Sequence, residues 1–261
     1  MLEFDAETTR LLDIVYQGSD ATARRRGSFD ALWPVPGETI VDIGCGNGLL
    51  TLELARAVGD KGRVVGVDPS GAMRQSAQER CREHTCVEVV DGSAEHLPLE
   101  PGSADKAVSI QVYEYLDDIP AALAEAHRVL RPGGRLVIGD IHFDSLVWHS
   151  DVPERMDDMN RAWDEHFVER RVPALLSPLL VDAGFAVDAV TPLTICDTHL
   201  RPDGLANMMI VLMERFAAAK HLVAPQNAKA WAEEQRALAA SGRFFFSLTH
   251  FVTSARKSTR A

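Results

Sequence analysis

The sequence predicts an α/β protein: a mostly parallel sheet with helices on both faces and helical insertions at one edge. Three observations predict it. Strand and helix signals alternate over residues 39–141, an order that makes neighbouring strands parallel and lays helices over the sheet. A glycine loop, Gly44-Cys45-Gly46-Asn47-Gly48, joins the first strand signal of that run to its first helix signal. An acidic strand end, Gly66-Val67-Asp68, follows one helix later.

The elements follow in order. Residues 1–36 read as helix, turn, helix and end at Trp33-Pro34-Val35-Pro36-Gly37. Apolar runs predict strands at 39–43, 63–67, 86–90, 105–110 and 135–141, and helices at 49–58, 70–82 and 119–130. Arg131-Pro132-Gly133-Gly134 stops the last of these helices, with Pro and Gly past its end. Residues 142–172, rich in His, Asp and Trp, form an insertion before a helix at 173–183. Gly184 opens a sixth strand at 185–190. A second insertion, 197–242, carries two helical patterns, 203–220 and 226–240, and a last strand runs over 244–252. The tail 254–261 is basic. We read the chain as a single domain, 1–261: an N-terminal helical cap (1–36), a ligand-binding core (37–141) and two lid insertions (142–172 and 197–242).

Composition bounds the function. With 261 residues, 46% apolar and 25% charged, the chain has the size and balance of one folded enzyme. A net charge of −11 opposes nucleic-acid and anionic-membrane partners, which need a basic surface. The first 20 residues show no leader-like apolar segment, and no apolar run reaches membrane-spanning length. The four cysteines, Cys45, Cys81, Cys86 and Cys196, follow neither a zinc nor a disulfide pattern, so a reducing cytoplasm is expected.

The glycine loop carries the chemistry. Glycine at alternate positions lets the backbone turn tightly and approach a ligand closely. The following helix aims its free N–H groups at the same point. Asp68, at the next strand end, is placed to accept hydrogen bonds from a ribose and disfavours a phosphate beside it. Nicotinamide and flavin enzymes favour G-x-G-x-x-G; here the spacing is G-x-G-x-G, and Leu49 stands where the third glycine of that fingerprint would fall.

The segments VDIGCGNG, VVGVDPSGAM, DGSAEHLP and HRVLRPGGRLVIGD together resemble a class I S-adenosylmethionine (SAM) methyltransferase. Within that class the chain is similar to the ubiquinone/menaquinone-biosynthesis type, and also to the arsenite methyltransferases. The likeness covers residues 37–141 well and the rest loosely. It implies a Rossmann-like, seven-stranded sheet whose seventh strand runs antiparallel between the fifth and sixth. It implies SAM as cofactor, with S-adenosylhomocysteine as product. Gly44 and Gly46 would lie against its methionine part, Asp68 on the ribose, and Met73 on the adenine. Asp42 would steady the loop or reach the amino group. The family carries Asp where this chain has Ser93; Ser93 and Ala94 are taken as adenine contacts, and Asp91, two places before Ser93, is assigned no contact. Gln111 falls near the transferred methyl group, and Tyr16 where related enzymes close an aromatic side chain over SAM.

Methyl transfer needs alignment, exclusion of water and, for acceptors that carry a proton, a base. The candidates are Tyr115, Asp140, His142, His149 and His166, with Asp144 beside them. A histidine next to tryptophan, as in Trp148-His149, is more often packed or solvated than catalytic. A metal site from His142, Asp144 and His149 matches no ligand spacing, so no metal is expected. The quinone-type relatives carry His where this chain has Tyr115, which counts against a quinone acceptor. Arsenite chelation needs several thiolates, and only Cys196 lies near the expected lid.

Both insertions follow strand C-termini, the edge at which open α/β sheets bind ligands. Residues 1–36, 142–172 and 197–242 are therefore expected to roof one pocket; the alternative is a homodimer interface or a plain extension of the core. The apolar run 205–213 suits a hydrophobic small molecule if it lies on a lid, and core packing if it does not. The reading is a methyltransferase acting on O, N or C of a small apolar metabolite. The alternatives are a SAM-fold cyclase or decarboxylase that transfers no methyl group and, behind it, a nicotinamide oxidoreductase.

Overall fold

The computed structural model describes residues 16–259. Seven strands form one sheet: β1 (Thr39–Ile43), β2 (Arg63–Asp68), β3 (Val87–Asp91), β4 (Ala104–Ile110), β5 (Leu130–Trp148), β6 (Phe185–Asp197) and β7 (Phe246–Lys257). Their order is β3-β2-β1-β4-β5-β7-β6. β1 pairs in parallel with β2 and β4, whereas β7 runs antiparallel to both β5 and β6. The chain order reverses between β1 and β4, which opens a crevice at the carboxyl ends of those strands.

Alternation along the strands assigns the two faces. Ile40, Val64, Val108 and Val137 pack on one face with Leu32 of helix α1 (Ser19–Leu32) and Leu50, Leu54 and Val58 of α2 (Leu49–Val58). Helix α3 (Gly71–Cys81) packs beside α2 on β2 and β3. Val41, Ile43, Val65 and Leu136 face the other way, towards Leu123 and Ala126 of α4 (Ile119–Val129) and Leu176 and Leu180 of α6 (Val172–Asp182). Ser70 and Asp118 cap α3 and α4 through the amides of Met73 and Ala121.

A separate apolar cluster lies beyond the sheet's end. It joins α5 (Pro153–Asp164), α7 (Leu205–Ala219) and α8 (Pro225–Ala240) through Met159, Trp163, Met213 and Trp231. β5 and β6 run further than their sequence patterns predict. β5 continues to Trp148 because, after an irregularity between His142 and Val147, it pairs with β7 again, where Trp148 opposes Phe246 and both bury their rings in this cluster. β6 reaches Asp197 by the same pairing, across Pro192, a residue that masks a strand signal. The expected turn Arg131-Pro132-Gly133-Gly134 appears as an irregularity inside β5, where pairing with β4 jumps from Leu130 to Arg135. Among the described residues, no helix is long and apolar enough to cross a membrane.

Candidate active site

β1 ends in a loop whose glycines 44, 46 and 48 all take positive φ. At Gly44 (φ 68°) a Cβ would stand 2.3 Å from Val112. At Gly48 (φ 79°) it would stand 2.8 Å from the Cα of Ala77, so this glycine lets α2 pack against α3. Thus the third glycine, one place earlier than in the dinucleotide fingerprint, performs the packing role. At Gly46 a Cβ would meet nothing within 4 Å, which leaves the loop's open side to the cavity.

Asp68 ties this loop to the next helix. Its Oδ2 accepts the Gly46 amide at 2.9 Å and its Oδ1 accepts the Ser70 amide at 2.8 Å. Burial raises its pKa while these two amides lower it. Asp42 accepts the Thr51 hydroxyl at 2.6 Å, which fastens the end of β1 to α2, and burial pushes its carboxyl up to about 7. Met73, Ser93 and Ala94 continue the same wall. Asp91 instead pairs with Arg74 at 2.7 Å and turns outward.

Gln111, just past β4, has a left-handed backbone (φ 55°) held by its amide on the Gly139 carbonyl at 2.8 Å. A non-glycine residue in that region is uncommon and marks a constrained position. Its side-chain oxygen accepts a hydrogen bond from buried Arg24 of α1. Tyr16 lines the cavity as well, from a turn ahead of α1 and not from a helix as its sequence suggests. Its phenol is raised by burial. Residues 1–15, the rest of the expected cap, lie outside the described residues.

Tyr16, Asp42, Gly44, Gly46, Asp68, Met73, Ser93, Ala94 and Gln111 border one cavity of about 470 Å³. Its other half is apolar. Leu205, Met208, Met209 and Leu212, at helical spacing, present one face of α7 to it, while Ile210 and Met213 of the other face are buried in the insertion cluster. Phe143, Trp163 and Phe167 add aromatic walls. Asp20 of α1 fastens cap to lid: it accepts the Leu205 amide at 2.8 Å and forms a paired contact with Arg201 at 2.8 and 3.0 Å.

The candidate bases separate sharply. Tyr115 and His166 both line the cavity, with the phenol oxygen 3.1 Å from the histidine Nε2. His166 stacks on Trp163, and burial pushes it down to about 4, so it is neutral at neutral pH. The other three do not join them. Along β5 it is Ile141 and Phe143 that face the cavity, so Asp140 and His142 point to the opposite side. Asp140 is fully buried against the Val112–Tyr113 backbone, and burial holds its carboxyl well above the usual range. His142 lies edge-on to Phe251. His149 sits at the far, open end of the insertion, 3.7 Å from Asp151. The extension of β5 to Trp148 carries it there. Asp144 pairs with Arg170.

Glu114 and Arg24, absent from the sequence-based expectations, also line the cavity. Glu114 lies in a short 3-10 turn, Tyr113–Tyr115, and is fully buried. Its position as an acid just past a parallel strand's carboxyl end was the available signal.

The residues fit an adenosyl cofactor. The open cradle at Gly46, an acid at the second strand end, and Met73 with Ser93 and Ala94 beyond it form one continuous wall. Residues 41–138 match the family described as a methyltransferase domain. An uncharacterized 37.1 kDa protein in transposon TN4556 of Streptomyces fradiae is 38% identical over 87% of this chain and 65% of its own length. The 2-phytyl-1,4-naphtoquinone methyltransferase of Synechococcus elongatus is 38% identical over 41% of this chain and 47% of its own length. The chain therefore spans between about half and two thirds of these relatives' lengths. The fold is shared with the YcgJ protein from Bacillus subtilis (TM-score 0.64, 17% identity, 91% of this chain and 99% of that one). It is also shared with a SAM-dependent methyltransferase from Aquifex aeolicus (TM-score 0.56, 18% identity, 95% and 99%).

Proposed function

We propose that the chain, residues 41–138 of which match the methyltransferase domain family, is a SAM-dependent methyltransferase acting on a small, apolar acceptor. One observation carries the proposal: a single cavity of about 470 Å³ joins the glycine-loop wall to the apolar wall made by both insertions. Cofactor and acceptor would thus meet in one space. SAM, when bound, supplies a methyl group on a positively charged sulfur.

The chain's own residues hold, orient and dry the site. The Gly44–Gly48 backbone and Asp68 receive the cofactor's amino-acid and ribose parts; Met73, Ser93 and Ala94 receive its adenine. Tyr16 and Gln111 flank the sulfur end. Phe143, Trp163, Phe167 and the α7 face enclose the acceptor and keep water out, which strengthens every polar contact inside. Tyr115 and His166, hydrogen-bonded to each other, orient it. The quinone methyltransferases among the relatives make flat apolar rings the first acceptors to screen. Four free thiols suit a cytoplasmic setting. The test is formation of S-adenosylhomocysteine from labelled SAM across a panel of apolar O, N and C acceptors. Acceptor-dependent product supports the reading; conversion of an acceptor without S-adenosylhomocysteine refutes it in favour of a reaction without methyl transfer.

A further inference from the structure

Glu114 is an acid that the sequence reading did not assign to the site. It is fully buried, and among the described residues no donor reaches either carboxyl oxygen in hydrogen-bond geometry, although the Tyr115 and Gln111 side chains lie close enough to favour its charged form. Its backbone carbonyl, not its side chain, anchors the first insertion by accepting the Val168 and Glu169 amides. A buried carboxylate whose oxygens lack well-formed hydrogen bonds is costly unless a ligand or proton completes it. It lines the cavity between Gln111 and Tyr115, at the junction of the two walls. Arg24, also buried, lines the same stretch; its Nη1 is engaged by Gln111, but its Nε has no acceptor among the described residues.

Resting on the methyltransferase reading, we propose that Glu114 is the general base, and that the acceptor is a hydroxyl of phenol or enol type, its developing oxyanion steadied by Arg24. The hydroxyl proton passes to the Glu114 carboxylate, the oxygen forms its bond to the methyl carbon, and the carbon–sulfur bond breaks to leave a neutral thioether. Charge balances: one carboxylate and one sulfonium are consumed, and a neutral acid and a neutral thioether remain. The guanidinium disfavours an ammonium-bearing acceptor and favours an oxyanion.

Proton affinity separates the candidates. His166 is pushed down to about 4 by burial and captures a proton poorly at neutral pH. Burial raises Glu114, against the pull of the Tyr115 side chain, the Arg24 charge and the Gln111 side chain. The groups facing it are Arg24 and Tyr16 from the N-terminal side, Tyr115 from its own turn and Asp140 from β5, whose own carboxyl Glu114 helps to raise.

The experiment measures methyl transfer from saturating labelled SAM to 1-naphthol, and to N,N-dimethylaniline, whose nitrogen bears no proton. Wild type, E114Q and E114D are compared across pH, with S-adenosylhomocysteine affinity measured by calorimetry on the same samples. Wild type is expected to methylate 1-naphthol with an acid limb above the ordinary glutamate value of about 4.3. E114Q should lose at least about 100-fold in kcat and lose that limb, with cofactor affinity kept within about twofold. E114D should keep the limb at reduced rate, and it carries the test if E114Q does not fold. E114Q within about threefold of wild type overturns the assignment. So does transfer to N,N-dimethylaniline alone, or cofactor binding with transfer to neither probe. Absence of S-adenosylhomocysteine binding overturns instead the methyltransferase reading beneath it.

Discussion

Replacing Asp68 by alanine removes three things at once. The carboxylate holds the Gly46 amide at 2.9 Å and the Ser70 amide at 2.8 Å, and in the proposed function it also receives the cofactor ribose. A hydrogen bond to a charged group contributes about 1.5–3 kcal/mol. Loss of the ribose contact alone lowers affinity about 10- to 150-fold, at 1.4 kcal/mol per tenfold. The loop amides add a second effect: freed from Asp68, the Gly44–Gly48 cradle is no longer fixed before the ligand arrives. Melting should therefore fall by several degrees, on the scale of about 4 °C or less per kcal/mol for a chain this long. Calorimetry with S-adenosylhomocysteine gives the affinity, and melting without ligand gives the stability of the same sample. Unchanged affinity alongside a lowered melting temperature would refute the ribose role and leave Asp68 a purely structural clasp.

Tyr115→Phe removes the hydroxyl that lies 3.1 Å from His166, and turnover should fall about tenfold or more while cofactor affinity holds. His149→Ala should leave turnover unchanged, because that side chain is on the open surface beside Asp151; a large loss would place the acceptor elsewhere. Asp42→Asn tests the buried acid beneath the loop. The folded protein holds the Asp42 proton up to about 7, well above the unfolded value, so wild-type stability declines as pH rises through that window. The amide escapes this penalty, which is on the order of 4 kcal/mol at full ionisation for a pKa moved from about 3.9 to about 7. Denaturant unfolding should show the variant gaining on wild type at about pH 8 and not at about pH 4; a gap independent of pH would refute it.

The placement of the glycine-loop wall was legible because its signals are local. Glycines 44 to 48 and Asp68 lie at the ends of adjacent short strands, where spacing fixes position. The opposite wall of the cavity was not, because it depends on direction. Asp140 and His142 were placed at the right strand end but on the wrong side of it, since Ile141 and Phe143 take the cavity face. His149 read as part of a loop insertion, whereas pairing of Trp148 with Phe246 extends β5 and carries it outward. Glu114 was hidden by a three-residue turn too short to leave a periodic pattern. The α7 run, ambiguous between lid and core, is both: one face lines the cavity and the other is buried among the insertion helices.

The most direct test of the central claim is the melting temperature with and without S-adenosylhomocysteine, with NAD as the competing ligand. A ligand present at about 100 times its Kd and bound only to the folded state adds about 2.7 kcal/mol. For a chain this long that raises the melting temperature by about 5 °C or more. The account predicts this rise with S-adenosylhomocysteine and none with NAD. A rise with NAD and none with S-adenosylhomocysteine would contradict it.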